Sequence, residues 1–261
     1  MKRVVLKFGG AAFRDLKQFQ KVAEIILRQK KIYDQIAVVV SAMGSMTDEL
    51  IHLARQINPD PPKREQDMLI SVGERISMTL LAMVLCQKGY QAISFTGSQA
   101  GIITCNQHSD ARVLQVNPRR IIPYLERGEI VVVAGFQGVS TFGEVTTLGR
   151  GGSDTTAVAL AIALQAERVE FYKDVKGIFS KDPKKDVTAE FLPLLTYAKA
   201  LEVIEKSERK VLHPRAVRLA EKNNLPLFIG SFEEQGAGSL IQCEEKYQRT
   251  GPIYESDELL V

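Results

Sequence analysis

Cysteine is scarce in this chain. Its 261 residues include three, Cys86, Cys105 and Cys243. They are odd in number, far apart and never in a Cys-x-x-Cys pair, which excludes a disulfide framework and a zinc site and fits reduced thiols. A surplus of one charge is also lacking. The chain has 34 Lys and Arg against 31 Asp and Glu, a net of +3, too little for a nucleic-acid-binding surface. The basic pairs Lys184-Lys185 and Arg119-Arg120 read as solvated loop and helix positions. No long apolar run is present: Met1-Lys2-Arg3 leads into Val4-Val5-Leu6, far shorter than a signal-peptide core, and nowhere do ~20 apolar residues follow one another as a bilayer span requires. A cytoplasmic protein is expected, with neither a nucleic-acid nor a membrane partner. No Gly-x-x-x-x-Gly-Lys-[Ser/Thr] and no Gly-x-Gly-x-x-Gly occurs, so neither of those nucleotide folds is supported.

What is present is an ordinary globular composition, 45% hydrophobic and 25% charged, enough for a core that needs no covalent or metal staple. One α/β domain over residues 1–243 is expected, since such folds reach ~250 residues as one unit. The polar segment 244–261, with Gly251-Pro252, reads as a tail or as an arm docked on a partner subunit. Short apolar runs alternate with helical patterns. Residues 4–8 form a strand ending at Gly9-Gly10, and Phe19, Val22, Ile25 and Ile26 mark a helix over 16–29. Residues 36–40 form a buried strand by composition. Thr47 or Asp48 is the expected cap of the helix that follows to residue 57, and Asn58-Pro59-Asp60-Pro61-Pro62 is a break. One long helix is expected over 65–87, with Gly73 inside it and Cys86 in the core. Strands are expected at 92–95 and 130–134, with a helix at 118–127 disturbed by Pro123 between them. Ser153 or Asp154 is the expected cap of the helix through Leu164. A strand at 169–172, helices at 197–206 and 214–223 and strands at 227–229 and 239–241 complete the chain. This alternation predicts a mainly parallel central sheet in a three-layer αβα sandwich.

Three segments carry chemistry. In Lys7-Phe8-Gly9-Gly10 a strand ends in a cation and two glycines before a helix, so backbone N–H groups and a lysine can meet phosphate oxygens. Alone, it reads first as a tight strand-to-helix turn with an exposed lysine. In Leu148-Gly149-Arg150-Gly151-Gly152-Ser153-Asp154 a glycine loop opens a helix. Arg150 can grip a carboxylate through two parallel hydrogen bonds, and Asp154 sits on the first turn, where it can orient lysines. The plainer reading is a glycine loop with Asp154 as a cap. The third, 39–48, is a strand running into the small and hydroxylated Ser41-Ala42-Met43-Gly44-Ser45, suited to a polar small molecule.

Taken together these segments resemble the catalytic domain of aspartate kinases, members of the amino-acid kinase superfamily, over residues 2 to about 242. The resemblance rests on Lys7-Phe8-Gly9-Gly10, on Val40-Ser41-Ala42-Met43-Gly44 with Thr47-Asp48-Glu49-Leu50, and on Gly73-Glu74-Arg75-Ile76-Ser77. It continues through Phe95-Thr96-Gly97-Ser98-Gln99-Ala100-Gly101 with His108 and Ala111-Arg112, and through Val133-Ala134-Gly135-Phe136-Gln137-Gly138 to the stretch 147–159. Asp174-Val175 with Gly177 and Asp182-Pro183, and Lys210-Val211-Leu212-His213-Pro214, complete it. It implies transfer of the ATP γ-phosphate to the β-carboxylate of L-aspartate, with ATP and Mg²⁺ as cofactors and no protein residue assigned as metal ligand. The N-terminal part would serve mainly the amino acid and the C-terminal part mainly the nucleotide. Lys7, Asp154 and Lys210 would be catalytic, Asp154 holding the two lysines. Thr47, Glu74, Arg150, Gly151, Gly152 and Ser153 would bind aspartate. Lys7, Phe8, Gly9, Gly10, Ser41, Lys173, Asp174, Phe179, Lys184, Lys210 and Val211 would bind the nucleotide. A carboxylate is already a nucleophile at neutral pH, so positioning and charge neutralisation suffice. A homodimer is implied, with room for a separate regulatory subunit.

The sequence departs from the family pattern at Ala11-Ala12, where two hydroxylated residues are usual, at Lys176, where the family has Asp, and at Glu208-Arg209, where Gly-Ala is common. These changes lie on the nucleotide side. Regulatory ACT domains commonly follow the catalytic domain in this family. None follows here, which implies an enzyme without intrinsic feedback by lysine or threonine. Two other readings remain: a kinase for another amino-acid carboxylate, and a degenerate regulatory or binding subunit. Glu74-Arg75 as a helix-surface pair, His213 as a cap before Pro214, and Thr146-Thr147 as hairpin residues are the plainer alternatives for those positions.

Overall fold

The computed structural model describes residues 1–183, 185–207, 210–234, 236–243 and 251–255. In chain order the strands are β1 (Arg3–Phe8), β2 (Gln35–Val40), β3 (Ala92–Phe95), β4 (Ile102–Thr104), β5 (Val113–Val116), β6 (Ile130–Ala134), β7 (Gln137–Ser140), β8 (Val145–Thr147), β9 (Arg168–Lys173), β10 (Leu194–Leu195), β11 (Leu227–Ser231) and β12 (Ser239–Ile241). The helices are α1 (Leu16–Gln29), α2 (Met46–Ile57), α3 (Lys63–Ile70), α4 (Val72–Gln87), α5 (Ile122–Glu126), α6 (Gly152–Ala163), α7 (Tyr197–Lys206) and α8 (Pro214–Lys222).

The central sheet has eight strands in the order β10-β12-β11-β9-β1-β2-β6-β3. All of its pairs are parallel except β11 with β12. Val4, Leu6 and Phe8 pack on one face with α1 and α4, while Val5, Ala37 and Val133 pack on the other with α6 and α8. Both faces are therefore dry, which is why β2 and β6 read as unbroken apolar runs rather than alternating ones. The arrangement is the three-layer sandwich expected from the sequence.

Four corrections follow from local structure. The expected 65–87 helix divides at Ser71 into α3 and α4. The combined stretch Lys63–Gln87 is long and apolar enough for a bilayer by length and composition, but half of its most apolar 18 residues are buried inside the fold, where α4 packs on β3 and β6 as a core helix. Cys86 on α4 is exposed rather than buried. The residue before α2 is Ser45, whose hydroxyl donates to Glu49 at 2.5 Å. Thr47 and Asp48 thus lie within the first turn. The residue before α6 is Gly151 at φ +71, so Ser153 and Asp154 are not its cap either. By contrast, α1 is capped by Asp15, which accepts N–H bonds from Lys17 at 2.8 Å and Gln18 at 3.1 Å.

A second sheet, β5-β4-β7-β8, was not expected. Its strands have three or four residues each, too few for a period-2 pattern to stand out. Thr146 and Thr147 do lie in the β7–β8 hairpin, as the plainer alternative had it, with Thr146 Oγ1 2.6 Å from Thr104 Oγ1.

The described part of the expected tail, residues 251–255, docks on its own domain. Tyr254 and Glu255 are buried. Ile253 exchanges two hydrogen bonds with the Asn223 side chain, at 2.8 and 2.9 Å. Glu255 receives the Arg215 guanidinium and accepts the Val113 N–H at 2.6 Å. Removing one partner of a buried ion pair leaves the other charge desolvated and unpaired. Glu255→Ala is therefore expected to lower unfolding stability by about 3 kcal/mol, read from the urea midpoint at unchanged slope. A change under about 0.5 kcal/mol, the level of ordinary surface substitutions, would show that the segment is not anchored there.

Candidate active site

Strand alternation sets the charged residues. Lys7 on β1 lies in register with Phe171 on β9 and Val39 on β2, and successive residues of a strand face opposite sides. Val5, Val169 and Phe171 belong to the core under α6, whereas Phe8 and Tyr172 belong to the other core. Lys7 and Lys173 thus leave the sheet on the α6 side, where α6 begins. Lys7 Nζ is 2.6 Å from Asp154 Oδ1, and Lys173 Nζ is 3.1 and 3.2 Å from the two carboxylate oxygens. Lys210, the expected second lysine of Asp154, is exposed, and its charge acts on His213. Among the described residues the ion pairs of Asp154 are with Lys7 and Lys173. The reason is topological: Lys173 ends the strand beside Lys7, while Lys210 precedes α8.

This triad is almost dry, Lys7 being 4% and Asp154 5% exposed. Burial pushes the Lys7 ammonium down to about 8, with Lys173 adding to the fall and Asp154 opposing it. Burial alone would raise the Asp154 carboxyl, but Lys173 and Lys7 outweigh it and hold the group down at about 2. Two ammonium groups share one carboxylate, so the cluster keeps an excess positive charge.

The triad faces a cavity of about 540 Å³ at the C-terminal edge of the sheet, the usual ligand position in open parallel sheets. Gly10, Ser41, Thr47, Glu74, Arg150, Gly151, Gly152 and Ser153 join Lys7 and Asp154 on its wall, so all six residues assigned to the amino acid come together. Glu74, in the first turn of α4, is 3% exposed. Its Oε1 accepts the Ala42 N–H at 3.1 Å, while its buried Oε2 has no partner. Burial pushes this carboxyl up to about 7, against the pull of its own and the Ala42 N–H and of Lys7. Its neighbour Arg75 turns to Gln137 Oε1 at 3.2 Å, so the two are not a helix-surface pair. Arg150 is exposed and makes no ion pair among the described residues. Gly151 precedes α6 in the left-handed region, and a Cβ there would lie 2.2 Å from the His213 Cβ. Only glycine fits, and its approach sets the height of Arg150 above the cavity. His213 itself caps α8, its Nδ1 accepting the Arg215 N–H at 3.4 Å.

The residues expected on the nucleotide side are more scattered. Gly9 and Gly10 follow β1, with Gly9 O accepting the Ala12 N–H at 2.9 Å. The Phe8 side chain is not available, being fully buried and stacked on Tyr172 at 4.9 Å, which leaves only its backbone. Asp174 is exposed just beyond β9; Phe179 and Val211 are half-buried, Phe179 against Phe191. None of these four lines the cavity. Lys184 lies outside the described residues, as do Glu208 and Arg209. Ala12 is fully buried in the core, so its methyl does not stand in for a cavity hydroxyl. Lys176 is a surface residue paired with Glu234 at 2.8 Å.

Sequence reasoning gave no role to Asp67, Ser109, Phe136 or Thr147. Phe136 lines the cavity at φ +68, a conformation bulky residues rarely hold, kept by its N–H to Thr156 Oγ1 at 3.1 Å. Asp67 is wholly buried. The signal was its spacing: Asp67 and Ile70 fall at i and i+3, both buried on one face of α3, and an acid on that face needs partners.

Fold and cavity define an α/β protein with a lysine-aspartate cluster facing a cavity at the edge of a parallel sheet. The chain belongs to the amino acid kinase family, whose model matches residues 2–231. It is 48% identical over 241 residues to the aspartokinase of Geobacillus stearothermophilus, covering 92% of this chain and 59% of that protein. The chain thus spans about three fifths of the length of such relatives. Among solved structures, aspartate kinase from Synechocystis superposes with a TM-score of 0.82 at 39% identity, over 95% of this chain and 40% of that one. Aspartokinase III from E. coli, crystallised with aspartate and ADP, gives 0.82 at 26% identity, over 94% of this chain and 65% of that one.

The Glu74 carboxyl should titrate with a midpoint near 7, followed by carbon NMR of labelled glutamate. Lys7 favours the charged form, so Lys7→Met moves the midpoint upward. A midpoint at an ordinary carboxylate value would show that water fills the cavity wall.

Proposed function

We propose that the chain is an aspartate kinase: it transfers the γ-phosphoryl group of ATP to the β-carboxylate of L-aspartate, giving ADP and 4-phospho-L-aspartate. One observation carries the reading. A single cavity joins the buried carboxylate of Glu74, one oxygen of which has no partner among the described residues, the guanidinium of Arg150, which has no ion pair among them, and an ammonium cluster with excess positive charge at Lys7. These are the complements of an ammonium, a carboxylate and a phosphoryl group. The names of the relatives support the same reading.

In the reaction, Glu74 takes the aspartate ammonium and Arg150 one carboxylate, with Thr47 and Ser153 beside them. A β-carboxylate oxygen attacks the γ-phosphorus, the bond to the β–γ bridging oxygen breaks, and its electrons leave with ADP. No proton need be removed from the nucleophile. Lys7 neutralises charge on the moving phosphoryl group. Asp154 fixes Lys7 and Lys173 without being consumed. Magnesium would be held chiefly through the nucleotide phosphates, and no step is assigned to it. A cytoplasmic site of action goes with three unpaired cysteines.

Incubation with ATP, Mg²⁺, hydroxylamine and a panel of amino acids should trap a hydroxamate with aspartate alone. A hydroxamate mainly with another acid would make the chain a kinase for that acid, and none at all would leave a binding subunit. Arg150→Ala is expected to raise the aspartate KM at least tenfold, the scale of a lost hydrogen-bonded charge contact, and to leave the ATP KM near its starting value. Equal effects on both would remove Arg150 from aspartate binding. The aspartate KM should also rise as pH falls through about 7, because protonated Glu74 no longer pairs with an ammonium, and kcat should fall as pH rises through about 8, where Lys7 loses its charge. A flat profile between these limbs and beyond would contradict both roles.

A further inference from the structure

We propose that Asp67 is a positioning residue for the aspartate-binding wall, acting through Thr147 and Ser109 on the loop that carries Arg150; this rests on the aspartate-kinase reading. Asp67 lies on α3, outside every motif that suggested the function, and is 0% exposed. Both its oxygens accept hydrogen bonds. Oδ1 receives the Thr147 hydroxyl at 2.6 Å and the Ser109 hydroxyl at 3.5 Å, with the Ser109 N–H at 3.2 Å. Oδ2 receives the Thr147 N–H at 3.1 Å and the Ser109 N–H at 3.0 Å, and lies 2.8 Å from His108 Nδ1. A fully buried carboxyl group is costly unless its lone pairs are used in this way.

These partners are not dispersed through the core. Thr147 and Ser109 both line the cavity. Ser109 holds φ +71, a left-handed conformation that costs energy in a residue with a side chain and persists where its surroundings impose it. The Asp67 carboxyl grips the N–H of that residue. Thr147 is held from both sides, its N–H and hydroxyl on Asp67 and its carbonyl accepting the Ala111 N–H at 2.9 Å. Three residues on stands Arg150. Between them, Gly149 lies at φ +71 so close to the 109–110 turn that a Cβ would sit 2.7 Å from Asp110 Oδ1 and 3.1 Å from Ser109 O. Two routes therefore run from one carboxyl to Arg150: along β8 through Thr147, and across the strained turn through Ser109 onto Gly149. Releasing Asp67 frees both at once, while Lys7 on β1 and Gly9 and Gly10 just after it keep their own supports.

The test uses the full chain, with aspartate binding measured by calorimetry and steady-state KM measured for aspartate and ATP. Asp67→Asn keeps the shape but turns an N–H₂ toward donors. It is expected to weaken aspartate binding and raise the aspartate KM about tenfold or more, the scale of a misplaced binding group, while the ATP KM stays within about twofold. Thr147→Val should shift the aspartate KM in the same direction by less, and should add little on top of Asp67→Asn because the two act through one network. An unchanged aspartate KM in Asp67→Asn, or an equal rise in both KM values, overturns the proposal. If Asp67→Asn does not fold, Thr147→Val decides by the same split, since it keeps Asp67 and its other partners. A wild-type protein that neither binds nor phosphorylates aspartate overturns the aspartate reading and this proposal together. A competent wild type with an unaltered Asp67→Asn overturns this proposal alone.

Discussion

The site depends on one buried carboxylate shared by two ammonium groups, the buried Lys7 and the half-buried Lys173. Asp154 sits in the first turn of α6, where the helix N-terminus favours negative charge, and Lys7 and Lys173 reach it from adjacent parallel strands. Buried charges are tolerated only when paired with good geometry, and here the pairing is unequal. The surplus cation has nowhere to go inside the protein, so the cluster favours an anion from the cavity. The same pairing ties the ends of β1 and β9 to the start of α6, which fixes the glycine loop on one side and Gly9-Gly10 on the other.

Around this centre two further knots hold the cavity wall. Asp67 gathers the 108–109 turn and the end of β8. Arg215 donates to Leu148 O and Ala111 O at 2.6 Å each and pairs with Glu255. Leu148 and Thr147 are neighbours, so the strand leading to Arg150 is gripped from α3 and from α8. The small second sheet carries a wall of the cavity that is tied by these buried charges as well as by the apolar packing of Ile102, Val113 and Leu148. Glu74 is the exception, with one oxygen held by Ala42 and the other left free.

The layers, the parallel sheet and the order of most elements were legible in the sequence, because a strand buried on both faces and a helix buried on one leave different apolar periods. The meeting of Glu74, Arg150, Ser153 and Thr47 at one cavity was also legible, since they stand in motifs at the ends of strands and the starts of helices. Where local signals compete, the sequence misled. Thr47, Ser153 and Asp154 are good cap residues by type, yet Ser45 and Gly151 precede the helices. Cys86 lies on an apolar helix, yet on its open side.

By itself the sequence determined the fold class and the polar and charged residue types that line the cavity at the end of the parallel strands, because those follow from periodicity and chain order. Only the tertiary structure decided that Lys173 and not Lys210 shares Asp154, that the Phe8 ring faces away from the cavity, and that Asp67 and Glu255 anchor the wall around Arg150. Each of these turns on which strands lie side by side, which face a residue takes, or which distant segments meet. A buried hydrogen bond between positions 40 or 80 apart leaves no periodic trace in the chain that makes it.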